Sequence, residues 1–299
     1  MKLAAIDLGS NSIKLVVVEA AASDSFTELA SEREVIRLGQ ETLVNKHISD
    51  AATVRAVNCL KHFRSIAERH GAESIAAIAT AFLREADNAE DFIRTVEQET
   101  GLRVEVVAGI EEARLIGLAA AHGCATKELT TLNIDIGGGS TEFSLFRDSE
   151  PLKLLSIKIG AVGLTDRFIR SDPPSAEELN QLRSEIRGSL QHLASELREQ
   201  TWDQTTATSG TAVTLGAVLS HTTISLPVLQ SLNARLASLS LSERRTVAGL
   251  PPQRADIIVA GGFVLEEVMN ALGIESVRLC DWSLREGVII DRLRALEST

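Results

Sequence analysis

The sequence predicts an α/β protein built from two similar domains with a cleft between them, and three observations carry that prediction. First, two openings match. Ile6-Asp7-Leu8-Gly9-Ser10-Asn11-Ser12 lies against Ile134-Asp135-Ile136-Gly137-Gly138-Gly139-Ser140, an offset of 128 residues from Asp7 to Asp135. A period this long is no solenoid repeat, so it marks duplication of one domain. Second, short apolar runs bounded by turn residues alternate with amphipathic segments behind each opening. Third, 299 residues correspond to two domains of roughly 150 residues each. A content of 44% hydrophobic and 24% charged residues is ordinary for a globular chain.

In the first half, Leu3 to Leu8, a Gly9–Ser12 turn and Ile13 to Val18 read as strand, tight turn, strand, with Phe26 to Ile36 a weaker third strand. A helix follows from Asp50 to His70, with Val57, Leu60, Phe63 and Ile66 on one side and Gly71 ending it. Ser74 to Ala79 is a strand. Asn88 is placed to cap a helix that Gly101 terminates. Arg103 to Val107 is a strand and Ile110 to Ala121 a helix, giving the order βββαβαβα. The second half restarts with strands at Leu132–Ile136, Thr141–Phe146 and Leu152–Ile157. Pro173-Pro174 breaks the chain, and Ser175 with Glu178 forms a capping box. Behind it Leu179, Leu182, Ile186, Leu190, Leu193 and Leu197 mark a core-facing helix. Gln204 to Thr208 is a strand leading into Ser209-Gly210-Thr211. A helix from Gly262 to Leu272, a strand from Glu275 to Leu279 and a last helix from Leu284 to Leu296 complete the chain.

Charge and composition exclude several classes. Thirty basic and 41 acidic residues leave a net charge of −11, which argues against a general nucleic-acid or acidic-membrane binder but allows a local basic pocket. Apolar runs such as Ile257 to Leu265 fall well short of the roughly 20 residues a membrane span needs. No signal peptide is expected, because Asp7 and Gly9 interrupt the N-terminal apolar stretch. Cys59, Cys124 and Cys280 are isolated and in no metal spacing, so a reduced cytoplasmic interior with neither disulfide nor zinc is expected. The six histidines form no pair at ligand spacing, which leaves Ser209 a phosphate donor rather than a nucleophile. Two tryptophans and no tyrosine offer no stacking platform for single-stranded nucleic acid.

The glycine-rich turns suggest the chemistry. Successive N–H groups in such a turn can point at one spot and hold a phosphate oxygen. Ser10, Asn11, Ser12, Ser140 and Thr141 add side-chain donors, and Asp7 and Asp135 end the preceding strands. An anion pocket beside carboxylates makes physical sense if a divalent cation bridges them, as magnesium does. With Ser209-Gly210-Thr211, the two loops outline a nucleotide or phosphate cleft. A Walker loop is excluded, since no Gly-Lys dipeptide occurs, and there is no Gly-x-Gly-x-x-Gly.

Six motifs in order extend this reading from residue 1 to about 295. They are the Ile6–Ser12 loop, Ala79-Thr80 through Arg84 to Asn88, Gly109-Ile110-Glu111-Glu112-Ala113-Arg114, Asp135 to Glu142, Ser209-Gly210-Thr211, and Leu284-Arg285-Glu286-Gly287. In this combination the chain resembles the exopolyphosphatase / guanosine pentaphosphate phosphohydrolase family, a branch of the actin–hexokinase–Hsp70 superfamily. The resemblance implies two actin-like (ribonuclease H-like) domains with mixed sheets and an interdomain cleft. Domain I would span residues 1–124 and domain II 125–285, with the final helix, about 286–299, packing back on domain I. It further implies magnesium-dependent hydrolysis of the terminal phosphoanhydride of inorganic polyphosphate, with manganese the alternative metal.

The resemblance assigns roles residue by residue. Glu112 matches the family's catalytic glutamate. The residues themselves do not choose between Glu111 and Glu112, and either can be a helix N-terminal glutamate favoured by the macrodipole. Asp135 is the expected metal ligand, with Glu142 supporting it or orienting water and Asp7 holding a metal-bound water from the other domain. The plain alternative for both aspartates is an Asx turn. Arg84 matches a family arginine suited to bidentate phosphate binding, its alternative being a surface pair with Glu85 or Asp87. Phosphate contacts are expected from Gly9, Ser10, Asn11, Ser12, Gly137, Gly138, Gly139, Ser140, Thr141, Ser209, Gly210 and Thr211. Lys14 can face the cleft or solvent. Gly163 stands where the family often has an arginine, which puts tight binding of long polyphosphate in question. The chain stops after the Leu284–Gly287 helix, where longer members add helical domains, so a two-domain enzyme with a preference for shorter chains, or a homodimer, is expected. The rival readings are a pppGpp 5′-phosphohydrolase, a non-catalytic ppGpp or nucleotide sensor, and a kinase of the same superfamily.

Overall fold

The computed structural model describes residues 1–22, 25–40 and 42–297, and only the backbone of Ala22. The first half contains β1 (Lys2–Leu8), β2 (Ser12–Ala22), β3 (Ser25–Val35), α1 (Thr42–Asn45), α2 (Asp50–Arg69), β4 (Ser74–Ala79), α3 (Ala81–Glu85), α4 (Ala89–Thr100), β5 (Val104–Val106) and α5 (Gly109–Gly123). The second half contains β6 (Thr130–Ile136), β7 (Thr141–Arg147), β8 (Glu150–Ile157), α6 (Ala161–Phe168), α7 (Ala176–Arg198), β9 (Gln204–Thr208), α8 (Ser209–Leu219), β10 (Thr223–Ser225), α9 (Leu226–Ser238), α10 (Leu241–Arg244), α11 (Ile258–Leu272), β11 (Ser276–Leu279) and α12 (Leu284–Glu297). The expected elements do not include α1, α3, α6, α9, α10 and β10; all but α9 are too short to show periodicity, while α9 does bury Leu229, Leu232 and Leu236 at helical spacing.

Among the described residues the first sheet has the order β3-β2-β1-β4-β5 and the second β10-β11-β9-β6-β7-β8. With β10 set aside, the two orders coincide strand for strand. Both sheets are mixed: β1 pairs antiparallel with β2 and parallel with β4, and β6 pairs antiparallel with β7 and parallel with β9. The duplication therefore holds at the level of topology.

Strand alternation sorts the core. Ala4, Ile6 and Leu8 of β1 enter one cluster with α2 and α4, while Leu3 and Ala5 enter another with α5 and α12. On β6, Leu132, Ile134 and Ile136 join the large cluster built by α7, α8, α9 and α11. The opposite face carries Thr131, Asn133 and Asp135, all buried. That face is covered by α5, where Gly117 lies over Ser144 of β7.

Helix α12 returns from the second sheet and packs against α5, β1 and β2. Gly287 makes this possible, because a Cβ there would collide with the Leu115 carbonyl of α5.

Two expectations need correction. Asn88 does sit at the N-cap of α4, but its side chain makes no cap. Its amide instead receives Ile48 N–H and donates to Ile48 C=O, both at 2.9 Å, and so staples the preceding loop. Cys124 and Cys280, expected to be unpaired, are joined as a disulfide across 156 residues of sequence, with Cα atoms 5.8 Å apart. Cys124 ends α5 and Cys280 precedes α12. Both lie where the chain passes between the two sheets, which linear spacing does not reveal. Cys59 stays a buried free thiol.

Candidate active site

The two openings fold into equivalent turns facing one cavity. Gly9 N–H donates to Ser12 C=O at 3.1 Å, and Gly137 N–H donates to Ser140 C=O at 2.9 Å. The second loop is braced by the start of α6, whose Ala161 and Val162 N–H groups donate to Gly137 and Gly138 C=O, each at 2.9 Å. Gly160 lies so close beneath this loop that a Cβ would come within 2.5 Å of the Gly138 carbonyl group and 2.6 Å of Gly139 N. Between the loops is a narrow cavity of about 70 Å³, lined among others by Asp7, Asn11, Glu112, Asp135, Ser209 and Arg254. No aromatic side chain among the described residues lines it.

The strand registers place the carboxylates. Asp7 lies opposite Lys14, and Asp135 opposite Glu142. These are equivalent positions of the two halves, but the charges differ. Lys14 faces the cleft and donates to Asp7 Oδ2 at 3.3 Å, so the first half neutralises its own aspartate. In the second half the partner is another carboxylate. Asp135 Oδ2 accepts from Thr208 Oγ1 at 2.6 Å and from Ser283 Oγ at 3.3 Å. Glu142 Oε1 accepts from Ser156 Oγ at 2.8 Å, while its Oε2 is buried without a partner. Burial pushes both acids up from the ordinary carboxylate range, and Glu142 is pushed further by the neighbouring Glu112 and Asp135 charges.

Glu112, in the first turn of α5, is 7% exposed and reaches the cavity. Burial pushes its carboxyl up to about 7, against the opposing pull of the Arg84 guanidinium. Arg84 Nη1 donates to Glu112 Oε2 at 2.8 Å and to Val107 C=O at 2.9 Å. Its ion-pair partner is thus Glu112 and not Glu85 or Asp87, and it stands behind Glu112 instead of lining the cavity. Glu111 is the clearest correction among the site residues. It points away, held by Arg114 at 2.7 Å, while Arg114 also grips Asp291 of α12 at 2.8 Å. Glu111 therefore supports Arg114, which clamps α5 to α12, and is not a candidate base.

Thr141 and Thr211 also leave the binding set. Thr141 Oγ1 donates to Ile159 C=O at 2.7 Å and Thr211 Oγ1 to Ile136 C=O at 3.2 Å, so both secure loop backbone. Ser209 and Gly210 do line the cavity, and Ser209 holds a left-handed φ of 82°, unusual for a residue with a side chain. Sequence reading missed Arg254. It is 6% exposed, lies across Gly210, and leaves its buried Nε without a partner. Burial and the nearby Arg33 hold its guanidinium below the usual arginine range. Its only sequence signal is a lone arginine between Pro251-Pro252 and an apolar helix, which carries no motif. Of the four buried polar atoms left unpaired among the described residues, those of Asn11 and Arg254 belong to residues lining the cavity, and that of Glu142 lies behind it, opposite Asp135 in the strand register.

The Ppx/GppA phosphatase family model matches residues 16–296. The chain belongs to the Ppx/GppA phosphatase family. It is thus a hydrolase acting on phosphoric anhydrides, with the two-domain actin-like fold. Among curated Ppx/GppA relatives, it is 32% identical over 304 residues to Exopolyphosphatase 1 of Mycobacterium leprae, covering 98% of this chain and 90% of that protein. The same identity holds for Exopolyphosphatase 1 of Mycobacterium tuberculosis, of which 88% is covered. An exopolyphosphatase crystal structure from Cytophaga hutchinsonii superposes with a TM-score of 0.91 at 28% identity, covering 99% of this chain and 98% of that one. A Ppx/GppA member from Aquifex aeolicus, at 24% identity and a TM-score of 0.82, shares the fold.

A divalent cation fits the residues present. No cluster of three or more His, Cys, Asp or Glu side chains able to hold a metal occurs among the described residues. Magnesium does not need one, since it is held by one or two carboxylates together with waters and substrate phosphates. Asp135 lines the cavity, and the unpaired Oε2 of Glu142, buried behind it at the strand position where the first half has Lys14, completes that donor set.

Proposed function

We propose that this protein is an exopolyphosphatase, which removes the terminal phosphate of inorganic polyphosphate by attack of a water molecule that Glu112 orients and deprotonates. The observation that carries the reading is the placement of Glu112. A carboxyl pushed up to about 7 stands in the phosphate cavity, with one oxygen held by Arg84. A base with a pKa near the working pH is partly ionised and still basic enough to accept a proton.

The terminal phosphate would lie between the Gly9–Ser12 and Gly137–Ser140 turns, whose N–H groups and hydroxyls bind its oxygens. The unpaired Asn11 Nδ2 and the Arg254 guanidinium provide further donors. The water oxygen bonds to phosphorus as the bridging P–O bond breaks, the proton passes to Glu112, and the shortened chain leaves as the anion. Little covalent chemistry is needed beyond alignment and charge neutralisation. Asp135 and Glu142 would hold magnesium, or manganese in its place, and the ion supplies positive charge to the phosphate oxygens. The exopolyphosphatase relatives, 32% identical over 98% of this chain, favour polyphosphate over pppGpp as the substrate.

Phosphate release should be compared for medium-length polyphosphate and pppGpp at equal terminal-phosphate concentration with magnesium. Faster release from polyphosphate, abolished by Glu112→Gln, is expected. Faster release from pppGpp would refute the substrate assignment, and release that survives Glu112→Gln would refute the mechanism.

A further inference from the structure

The duplication provides an internal control on the second sheet. Beneath Asp135, on the face covered by α5, runs a column of polar side chains that the first half does not have. Thr206 Oγ1 donates to Asn133 Oδ1 at 2.8 Å. Asn133 Nδ2 donates to Thr208 Oγ1 at 3.1 Å, and Thr208 Oγ1 donates to Asp135 Oδ2 at 2.6 Å. Asn133, Thr206 and Thr208 are all 0% exposed. Register pairs Asn133 with Thr206 and Asp135 with Thr208. In the first half the corresponding pairs are Ala5 with Ala76 and Asp7 with Ile78, so the three equivalent positions are Ala5, Ala76 and Ile78. These are buried too. The fold is therefore built once with an apolar column and once with a polar one. Burying amide and hydroxyl groups costs free energy that the fold does not require.

The column has a direction. Because the Thr206 hydroxyl donates to Asn133 Oδ1, the amide must present its NH2 to Thr208. Because that NH2 occupies a lone pair of Thr208 Oγ1, the Thr208 hydrogen is turned onto Asp135. A hydroxyl donating to a carboxylate at such a distance makes a strong, orienting bond. Both donors to Asp135, Thr208 and Ser283, converge on Oδ2, which leaves Oδ1 as the oxygen available to a cation. Asp7 needs no such column, since Lys14 already holds it.

We propose that Thr206, Asn133 and Thr208 form a one-way hydrogen-bond relay that positions Asp135 as a cation ligand, with Thr208 the positioning residue in contact with it. This rests on the reading of Asp135 as a divalent-cation ligand. Outer partners of ligating carboxylates are worth about 10–100-fold in metal affinity.

The test is binding of Mn²⁺ alone to the metal-free full-length protein, followed by electron paramagnetic resonance, with the metal KM and kcat of polyphosphate hydrolysis as a second readout. Thr208→Val, nearly isosteric but without the donor, should weaken Mn²⁺ binding about 10–100-fold and raise the metal KM by a similar factor. Thr208→Ser should restore both to within a few-fold. Should Thr208→Val fail to fold, Asn133→Leu carries the same test, because it leaves Thr208 in place and removes only the group that orients its hydroxyl. A weakening of more than threefold is expected there. Wild-type binding with unchanged affinity in Thr208→Val, or a Ser variant as weak as the Val variant, overturns the relay alone. A wild-type protein that binds no Mn²⁺ overturns the metal reading and the relay together.

Discussion

Replacing Glu112 with glutamine should make the protein more stable and nearly inactive, and the stability gain should depend on pH. Glutamine resembles the protonated carboxyl and can still accept the Arg84 hydrogen bond. In the wild type the carboxyl is displaced from 4.5 to about 7, chiefly by burial. Since one pH unit corresponds to 1.36 kcal/mol, the ionised form is disfavoured in the fold by roughly 3 kcal/mol. The sign follows from a folded pKa raised above the unfolded one. The favourable contribution of this group is complete below about 4.5 and is lost as pH rises through about 7. The variant does not lose it. The difference in Tm between Glu112→Gln and wild type should therefore be small near pH 4.5 and grow to about 6 °C by pH 8, at about 2 °C per kcal/mol for a chain of this size. In parallel, wild-type kcat/KM should rise through about pH 7, and the variant should lose on the order of 10²–10⁴ in kcat. The assay is thermal unfolding from pH 4.5 to 8.5 beside a pH–rate profile. A Tm difference that is constant across this range would refute the assigned burial of the charge. A variant within tenfold of wild-type kcat would refute the role of the base.

Arg254→Met removes a buried cation whose Nε has no hydrogen-bond partner, so the free protein should melt higher while KM for polyphosphate rises about 10–100-fold, as expected for loss of a hydrogen bond to a charged group. Parallel measurement of Tm and KM checks the opposite signs. Gly160→Ala forces the backbone of Gly138 and Gly139 to move, which should cost about 1–3 kcal/mol and raise KM more than it lowers kcat, as thermal melts and steady-state kinetics can show. Unfolding in guanidinium without reductant should expose one titratable thiol per chain, that of Cys59, and three after reduction; three without reduction would contradict the Cys124–Cys280 bond.

Much of this site is legible in the primary structure because its parts are local. A strand ending in Asp, a glycine turn and a following strand are contiguous, and hydrogen bonds within the turn set their shape. The repeat of that unit at Asp7 and Asp135 is therefore enough to announce two sheets and a cleft. Amphipathic periodicity does the same for α2 and α7, whose apolar stripes each need one sheet face. The Ser175–Glu178 capping box is equally local and is found as expected.

Tertiary structure decides whatever depends on which way a side chain turns or on residues distant in sequence. Glu111 and Glu112 are adjacent and chemically alike. Glu111 turns to Arg114 one turn along the same helix, and only the placement of α5 over the cleft brings Glu112 into the cavity. The partner of Cys124 is 156 residues away, and Arg254 reaches the site from a turn without periodicity. The same is true of Asn133, Thr206 and Thr208, three ordinary strand residues until β9 pairs with β6. Local chain geometry is encoded within a few residues, so the sequence alone determined the loops and the duplication. Burial and charge environment are sums over neighbours supplied by the whole fold, so only the assembled structure decided which carboxylate is raised and which is paired.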